Sequence, residues 1–264
     1  AAAEGRVYFS SDDGYLYCLD IATGTEIWKF RGGPSDRKLI GNKRFVSVWP
    51  ARGAPVVKSG TVYFAASIWP MMGIFIYALD AETGEVIWFN DGTGMEYQLQ
   101  PHNSPAFAGV APQGALVAIG DYLLIPGGRS VPACFDRHTG KQLYYRFAEQ
   151  NKTGGAFVAA LGNDYFNHHR EKVTSFYQVS DGDRVISTLG NYPVLSEEAY
   201  YFSGDGVTAY APKALREFKD SYAEHALWHL DVDASHDLIR AGEFLYVAND
   251  DGITAIRLGE TPAV

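Results

Sequence analysis

Sulfur is scarce in this chain of 264 residues, which has two cysteines, Cys18 and Cys134, and three methionines. No Cys-x-x-Cys, His-x-His or Glu-x-x-His spacing exists, so no metal site is predicted. The cysteines say little about compartment, because oxidising compartments permit disulfides without requiring them. Long apolar runs are missing, which removes a membrane-spanning helix from the expectations. Positive charge is in deficit: 22 Lys and Arg stand against 31 Asp and Glu, for a net charge of −9. Binding nucleic acid is excluded as a global role, since phosphate contacts demand a basic footprint. Nucleophile-elbow, phosphate-loop and dinucleotide signatures are all absent. No leader-type segment is seen, and Ala1-Ala2-Ala3-Glu4 reads as a trimmed mature end or a cut boundary.

What is abundant points to β structure. Apolar residues make up 47% of the chain, enough to build a core. Aromatics reach 14%, and such side chains pack well on pleated surfaces. The 28 glycines fit many tight turns.

Internal repetition is the strongest signal. Asp20-Ile21-Ala22-Thr23-Gly24 leads to Trp28, Asp80-Ala81-Glu82-Thr83-Gly84 to Trp88, and Asp136-Arg137-His138-Thr139-Gly140 to Tyr144. The shared pattern is Asp-x-x-Thr-Gly-x-x-x-aromatic. An apolar strand runs into Asp, whose carboxylate accepts backbone N–H bonds, and Gly supplies the positive φ of the corner. A second strand then leaves and ends on the aromatic. Upstream of each corner lie further strands and turns, such as Val7-Tyr8-Phe9 before Asp13-Gly14 and Leu245-Tyr246-Val247 before Asp251-Gly252. Stacked together, these signals predict four-stranded antiparallel units, strands A to D, repeated along the chain. The predicted units are 1–31, 54–91, 115–148, 156–190, 192–233 and 236–258. A short helix is expected in the insert Pro212 to Glu224.

With these motifs, the chain resembles the pyrroloquinoline quinone (PQQ)-like propeller repeat of quinoprotein alcohol dehydrogenases and outer-membrane assembly lipoproteins. The resemblance implies an all-β propeller, taken here as one domain over 1–264. It also implies that Trp28, Trp88 and Tyr144 pack between neighbouring blades. About six blades are expected. Both a fragment of a seven- or eight-bladed propeller and an irregularly closed six-bladed ring remain open.

Strand alternation sorts the connections by face. Tight A–B and C–D turns lie on one face, and the long B–C and D–A connections on the other. Long loops on a rigid scaffold carry binding groups, so the second face is the expected functional one. Residues 31–52 there hold Arg31, Arg37, Lys38, Lys43, Arg44 and Arg52 against a single acid, Asp36. Arg52, His102, Arg129, His168, His169 and Tyr97 are the candidate ligand-binding residues. Trp49, Trp69, Met71 and Met72 interleave with them. A basic, aromatic-lined mouth on an acidic protein suits an anionic ligand. The alternative is a solvated rim. The His168-His169 pair reads as a general base or ligand on one view and as structural on the other, since neighbours in a strand point to opposite sides. Asp12-Asp13 and Asp250-Asp251 read as turn formers rather than calcium ligands.

The sequence favours a non-catalytic extracytoplasmic binding or scaffold module, periplasmic or secreted, within a larger protein. Its expected partner is a protein or an anionic glycan. A lyase or hydrolase acting on acidic polysaccharide is one alternative. A quinoprotein dehydrogenase domain is another; its resemblance implies PQQ, calcium, a catalytic Asp and a pair of adjacent cysteines. No Cys-Cys pair exists here, and no cofactor is expected. Cys18 and Cys134 fill the slot that Ala78 fills in the second blade, so they should sit in blades 1 and 3 with a whole blade between them and never bridge.

Overall fold

Asp20, Asp80 and Asp136 close three strand pairs with one set of bonds. Each Oδ1 accepts the backbone N–H groups two and three residues on, at 2.8–3.1 Å. The Thr hydroxyl donates to the same oxygen at Asp20 and Asp80. Gly24, Gly84 and Gly140 return an N–H to the Asp carbonyl at 2.8–2.9 Å, with φ between 69° and 76°. These bonds hold all three carboxyls below the ordinary Asp pKa. Thr23 contributes most at Asp20 and Thr83 at Asp80, whereas at Asp136 desolvation opposes the shift and is outweighed by the bonds from Thr139. A fourth corner has the same backbone with Gln178 in the Asp position: Gly182 N–H donates to the Gln178 carbonyl at 3.0 Å.

The corners join strands C and D of antiparallel sheets whose order follows the chain. In this computed structural model the described residues are 1–41, 43–94, 96–99, 103–127, 130–147, 154–169, 173–259 and 262–263, with side chains left out at 98, 107, 108, 147 and 169. Blade 1 comprises Ala2–Ala3, Arg6–Ser10, Tyr15–Asp20 and Glu26–Arg31. Blade 2 comprises Val56–Lys58, Thr61–Ala66, Phe75–Asp80 and Val86–Asn90. Blade 3 comprises Val117–Ile119, Tyr122–Ile125, Ser130–Asp136 and Gln142–Phe147. Blade 4 runs from Phe157–Leu161 to Arg184–Leu189, and blade 5 from Pro193–Leu195 to Ala226–Leu230. A sixth sheet has three strands, Leu238–Ala241, Phe244–Asn249 and Gly252–Arg257. The fold is the expected all-β arrangement of propeller blades. The chain divides into two compact units, Ala1–Val158 and Ala159–Val264.

Strand D bends in the same way in five blades. Cys18 faces Trp28 while Leu19 faces Glu26, so Ile27 is an extra, unpaired residue. Ile87, Leu143, Val185 and Leu227 are extra by the same register. The bulge sharpens the local twist. It places Trp28, Trp88, Tyr144, Ile186 and Trp228 at one equivalent slot. The sequence pattern assigns the first three and misses the last two, because the Asp-Thr-Gly corner is lost in blades 4 and 5. The slot partners of the aromatics are Cys18, Ala78 and Cys134, and both thiols are buried and free. Burial pushes the Cys134 thiol up to about 12.

The core lies between sheets. Tyr8, Leu16 and Cys18 of blade 1 pack with Val62, Phe64 and Leu79 of blade 2. Tyr63, Ile76 and Ala78 pack with Leu123, Ala133 and Phe135 of blade 3. The second unit repeats the scheme: Phe166 and Phe176 meet Tyr200 and Phe202, and Tyr201 and Ala209 meet Leu245 and Val247. The slot tryptophans bridge these layers. Trp28 donates its indole N–H to the Ala81 carbonyl at 3.4 Å, and Trp88 donates to the Arg137 carbonyl at 2.9 Å. Each indole lies on the next blade's corner glycine. A Cβ at Gly84 would fall 2.9 Å from the Trp28 ring, and one at Gly140 would press into Trp88. Trp28, Trp88 and Tyr144 are half-buried rather than fully buried, because the outermost strand leaves one ring edge in solvent.

The insert of blade 5 does contain a short helix, Pro212–Glu217. It is tied down by a buried charge. Asp164 is 0% exposed and accepts two bonds from Arg216, Nε at 3.0 Å and Nη2 at 2.6 Å, plus the Tyr200 hydroxyl at 2.8 Å. Leu215 is buried beside them in the core of blades 4 and 5.

Two stability outcomes follow from this packing. Trp88→Ala should cost about 2–4 kcal/mol in denaturant unfolding, somewhat under the full cost of a wholly buried aromatic. A loss under about 1 kcal/mol would contradict the inter-blade role. Arg216→Ala should cost about 2–4 kcal/mol, because Asp164 stays buried with only a tyrosine to bond it. Arg216→Lys should recover part of that, keeping the charge but not the two-pronged geometry.

Candidate functional site

The expected loop from blade 1 to blade 2 is not a plain loop. Lys38–Gly41 and Arg44–Ser47 pair as a hairpin, and the next connection holds a second hairpin, Glu96–Leu99 with Pro105–Ala108. Alternating branched and aromatic residues, Leu39-Ile40 and Phe45-Val46, supply the local β preference that the long-loop reading overlooked.

The first hairpin is clamped onto the B–C turn of blade 1. Ser47 N–H donates to the Asp12 carbonyl at 2.8 Å, and Ala51 N–H to the Ser11 carbonyl at 3.0 Å. The Asp12 carboxylate takes Arg44 Nη2 on one oxygen at 2.7 Å and Arg52 Nε on the other at 2.9 Å. Asp13, its neighbour, does the turn-forming expected of both: it accepts Tyr15 N–H at 3.1 Å and the Tyr17 hydroxyl at 2.6 Å. Asp12 is therefore a hub that sequence reasoning missed. Its partners lie 32 and 40 residues away, and no local spacing announces them.

These groups border an open cleft of about 620 Å³. Ser10, Ser11, Asp12, Arg44, Arg52 and Gln113 supply its polar wall, with Phe9 at one side. Gly53 and Gly114 also line it, and a Cβ on Gly53 would strike the Gly114 carbonyl. Two guanidinium groups against one carboxylate leave a net charge of +1 at the mouth. Arg44 reaches Asp12 through Nη2 and Arg52 through Nε, out of the five N–H donors that each guanidinium carries.

Other parts of the same unit carry exposed apolar groups. Ile40 and Phe45 project from the first hairpin, Trp69, Met71 and Met72 from the B–C connection of blade 2, and Tyr97 from the second hairpin. Trp49 Nε1 donates to the Met72 carbonyl at 2.8 Å and joins the first two segments.

The candidate residues fare differently. Arg52 lines the cleft, and Tyr97 is exposed on the second hairpin and does not line it. His102 and Arg129 lie outside the described residues. His168 belongs to the second unit, opposite Thr174 in strand B of blade 4, with its ring stacked on Tyr192 at 4.1 Å. Burial draws its pKa below the ordinary value despite a bond with Asn191, so it is neutral at pH 7 and packs as an aromatic. His169 is the next strand residue, opposite Val173.

The family of the outer membrane protein assembly factor BamB matches residues 1–214. The chain belongs to this family. Among solved structures, BamB from Moraxella catarrhalis is similar with a TM-score of 0.59 and 14% identity, covering 96% of this chain and 67% of that one. A quinohemoprotein alcohol dehydrogenase from Comamonas testosteroni has a TM-score of 0.58 and 14% identity, covering 97% and 57%. At such identity the likeness establishes the propeller fold. The dehydrogenase subunits of quinone alcohol dehydrogenases from Gluconacetobacter polyoxogenes and Gluconobacter oxydans are 38% and 36% identical over 86 residues. That stretch is 32% of this chain and 11% of each relative. The two thiols sit in separate blades, and no three His, Cys, Asp or Glu side chains gather among the described residues. Among those residues no helix is long and apolar enough to cross a membrane.

Asp12→Asn tests the clamp. The pairs are largely exposed, so about 0–1 kcal/mol each is at stake and the melting temperature should hardly move. Hydrogen exchange of the amides of residues 38–47 should quicken. Unchanged exchange would mean the backbone bonds alone hold the hairpin.

Proposed function

We propose that this BamB-family chain is a non-catalytic binding and scaffold propeller that works outside the cytoplasm, in the periplasm or secreted, as part of a larger protein or assembly. Its binding surface is the loop face of the first unit, and its partner carries negative charge, as an acidic protein segment or an anionic glycan. The observation that carries the reading is the cleft at Asp12, Arg44 and Arg52: a net cationic site on a protein of net charge −9, where a partner anion can replace or join the Asp12 carboxylate. Arginine forks suit carboxylate and sulfate geometry. The exposed Trp69, Met71 and Phe45 add the apolar anchors that binding surfaces use, and polarizable methionine adapts to varied partners. The family description supports the compartment, since it names an outer-membrane assembly factor.

A second reading, a quinoprotein dehydrogenase domain, draws on the 86-residue match to quinone alcohol dehydrogenases. Titration with PQQ and calcium, followed by quinone absorbance, separates it from the first.

Titrating the chain with polyglutamate and with oligogalacturonate, read by calorimetry, tests the proposed binding. One of the two should bind, with an affinity that falls as salt rises. The double substitution Arg44→Gln and Arg52→Gln should weaken binding at least tenfold without unfolding the chain. Absence of binding to both probes, or equal binding by the double variant, would overturn the assignment.

A further inference from the structure

The first hairpin, Lys38–Gly41 with Arg44–Ser47, has two unlike faces. Side chains alternate along a strand, so Arg44 and Val46 share one face and Phe45 takes the other. Arg44 pairs with Asp12 of blade 1, which makes its face the inner one. On the outer face Ile40 stands directly across from Phe45. The two side chains are 76% and 74% exposed. Exposure of this degree means that the pair projects from the ribbon rather than lining a groove.

Single exposed apolar residues are ordinary, and Ile27 beside Glu26 or Val86 beside Glu85 need no explanation. The hairpin pair differs in its charged surroundings. Arg37, Lys38, Lys43 and Arg44 lie on the hairpin or at its foot, all exposed. Asp36, 3.6 Å from the Lys38 ammonium, is the one acid between residues 31 and 52. An apolar cluster rimmed by charge marks an interaction surface. The ribbon is held in place by the Asp12 clamp and by the bond from the Trp49 indole to the Met72 carbonyl. That bond also sets the turn carrying the exposed Trp69 and Met71 beside the hairpin's foot.

We propose that the outer face of this hairpin docks on the surface of a bilayer that carries anionic phospholipids. Ile40 and Phe45 enter the boundary between headgroups and acyl chains, and the surrounding cations meet the headgroup phosphates. Peripheral anchoring takes an apolar element together with a basic patch, and this hairpin holds both. Shape favours a bilayer over a protein, because a headgroup layer takes in a projecting pair without a matching pocket. The cleft is bordered by Arg44 from the inner face, so the cleft reading and this one concern different sides of the hairpin and fail separately.

The full chain is sedimented with vesicles of equal parts phosphatidylglycerol and phosphatidylcholine, and with phosphatidylcholine alone. It should bind the mixed vesicles at least tenfold more tightly, with an affinity that falls as salt rises. The double substitution Ile40→Ser and Phe45→Ser should weaken that binding at least tenfold at an unchanged melting temperature, since both side chains already stand in water. Both native thiols are buried, so an Ile40→Cys variant can carry a single environment-sensitive dye. Its emission should shift to the blue on the mixed vesicles. A dye at Ile253→Cys, a position as exposed as Phe45 but just after Asp250-Asp251, should not shift. No binding to the mixed vesicles, binding indifferent to lipid charge, or binding unchanged in the double variant would overturn the proposal. So would a blue shift of the Ile40 dye without lipid: with rising protein concentration it would assign the pair to a second copy, and with polyglutamate to an acidic protein partner.

Discussion

Everything in the first unit hangs on an indole ring resting on a glycine of the next blade. The contact needs two unrelated features at once. The glycine must take a left-handed φ to close its own corner, and it must lack a Cβ so that a neighbour's ring can lie flat on the peptide. A single residue therefore satisfies a local and a tertiary demand together. The indole N–H then finds the carbonyl beside the corner, which prevents a buried polar group from going unpaired. Tyr8 and Tyr63 brace the same tryptophans from within their own blades, at centroid distances of 5.8 and 6.1 Å.

That regular frame is what allows the opposite loops to be irregular. With the sheets pinned at their outer strands, the connections between blades can lengthen into hairpins without disturbing the core. The first hairpin is not left mobile, since Asp12 and two backbone bonds fasten it to a B–C turn. The cleft is thus made of preordered groups. A partner pays little ordering entropy on binding to such a site. In the second unit a different device appears. The corner of blade 5 is replaced by a helix, and the Asp164–Arg216–Tyr200 cluster anchors it where the Asp-Thr-Gly bonds are missing.

Much of the frame was legible from residues close together in the chain. The Asp-x-x-Thr-Gly corner, the Asp-Gly hairpins and the strand patterning named the blades and most strand limits in blades 1 to 3. The equivalence of Cys18, Ala78 and Cys134 followed from spacing, and with it the absence of a disulfide. These features are local: a turn's bonds reach two to five residues, so sequence carries them directly. The candidate residues Arg52 and His168 were picked on loop position and type alone. The first lies in the cleft, and the second proves to be a neutral, stacked ring.

Tertiary structure decided what depends on distant partners. Asp12 and Asp13 are the same residue type side by side in one turn, yet one holds that turn and the other joins two arginines that the fold brings from 32 and 40 residues away. Ile186 and Trp228 share the tryptophan slot only because a bulge resets the register, which no pattern in blades 4 and 5 reports. The exposure of Phe9 against the burial of Phe64 is likewise invisible in two matching Val-Tyr-Phe motifs. The motif sets which face an aromatic takes, by the period of two along a strand. Whether another sheet covers that face is a fact about the neighbouring sheet.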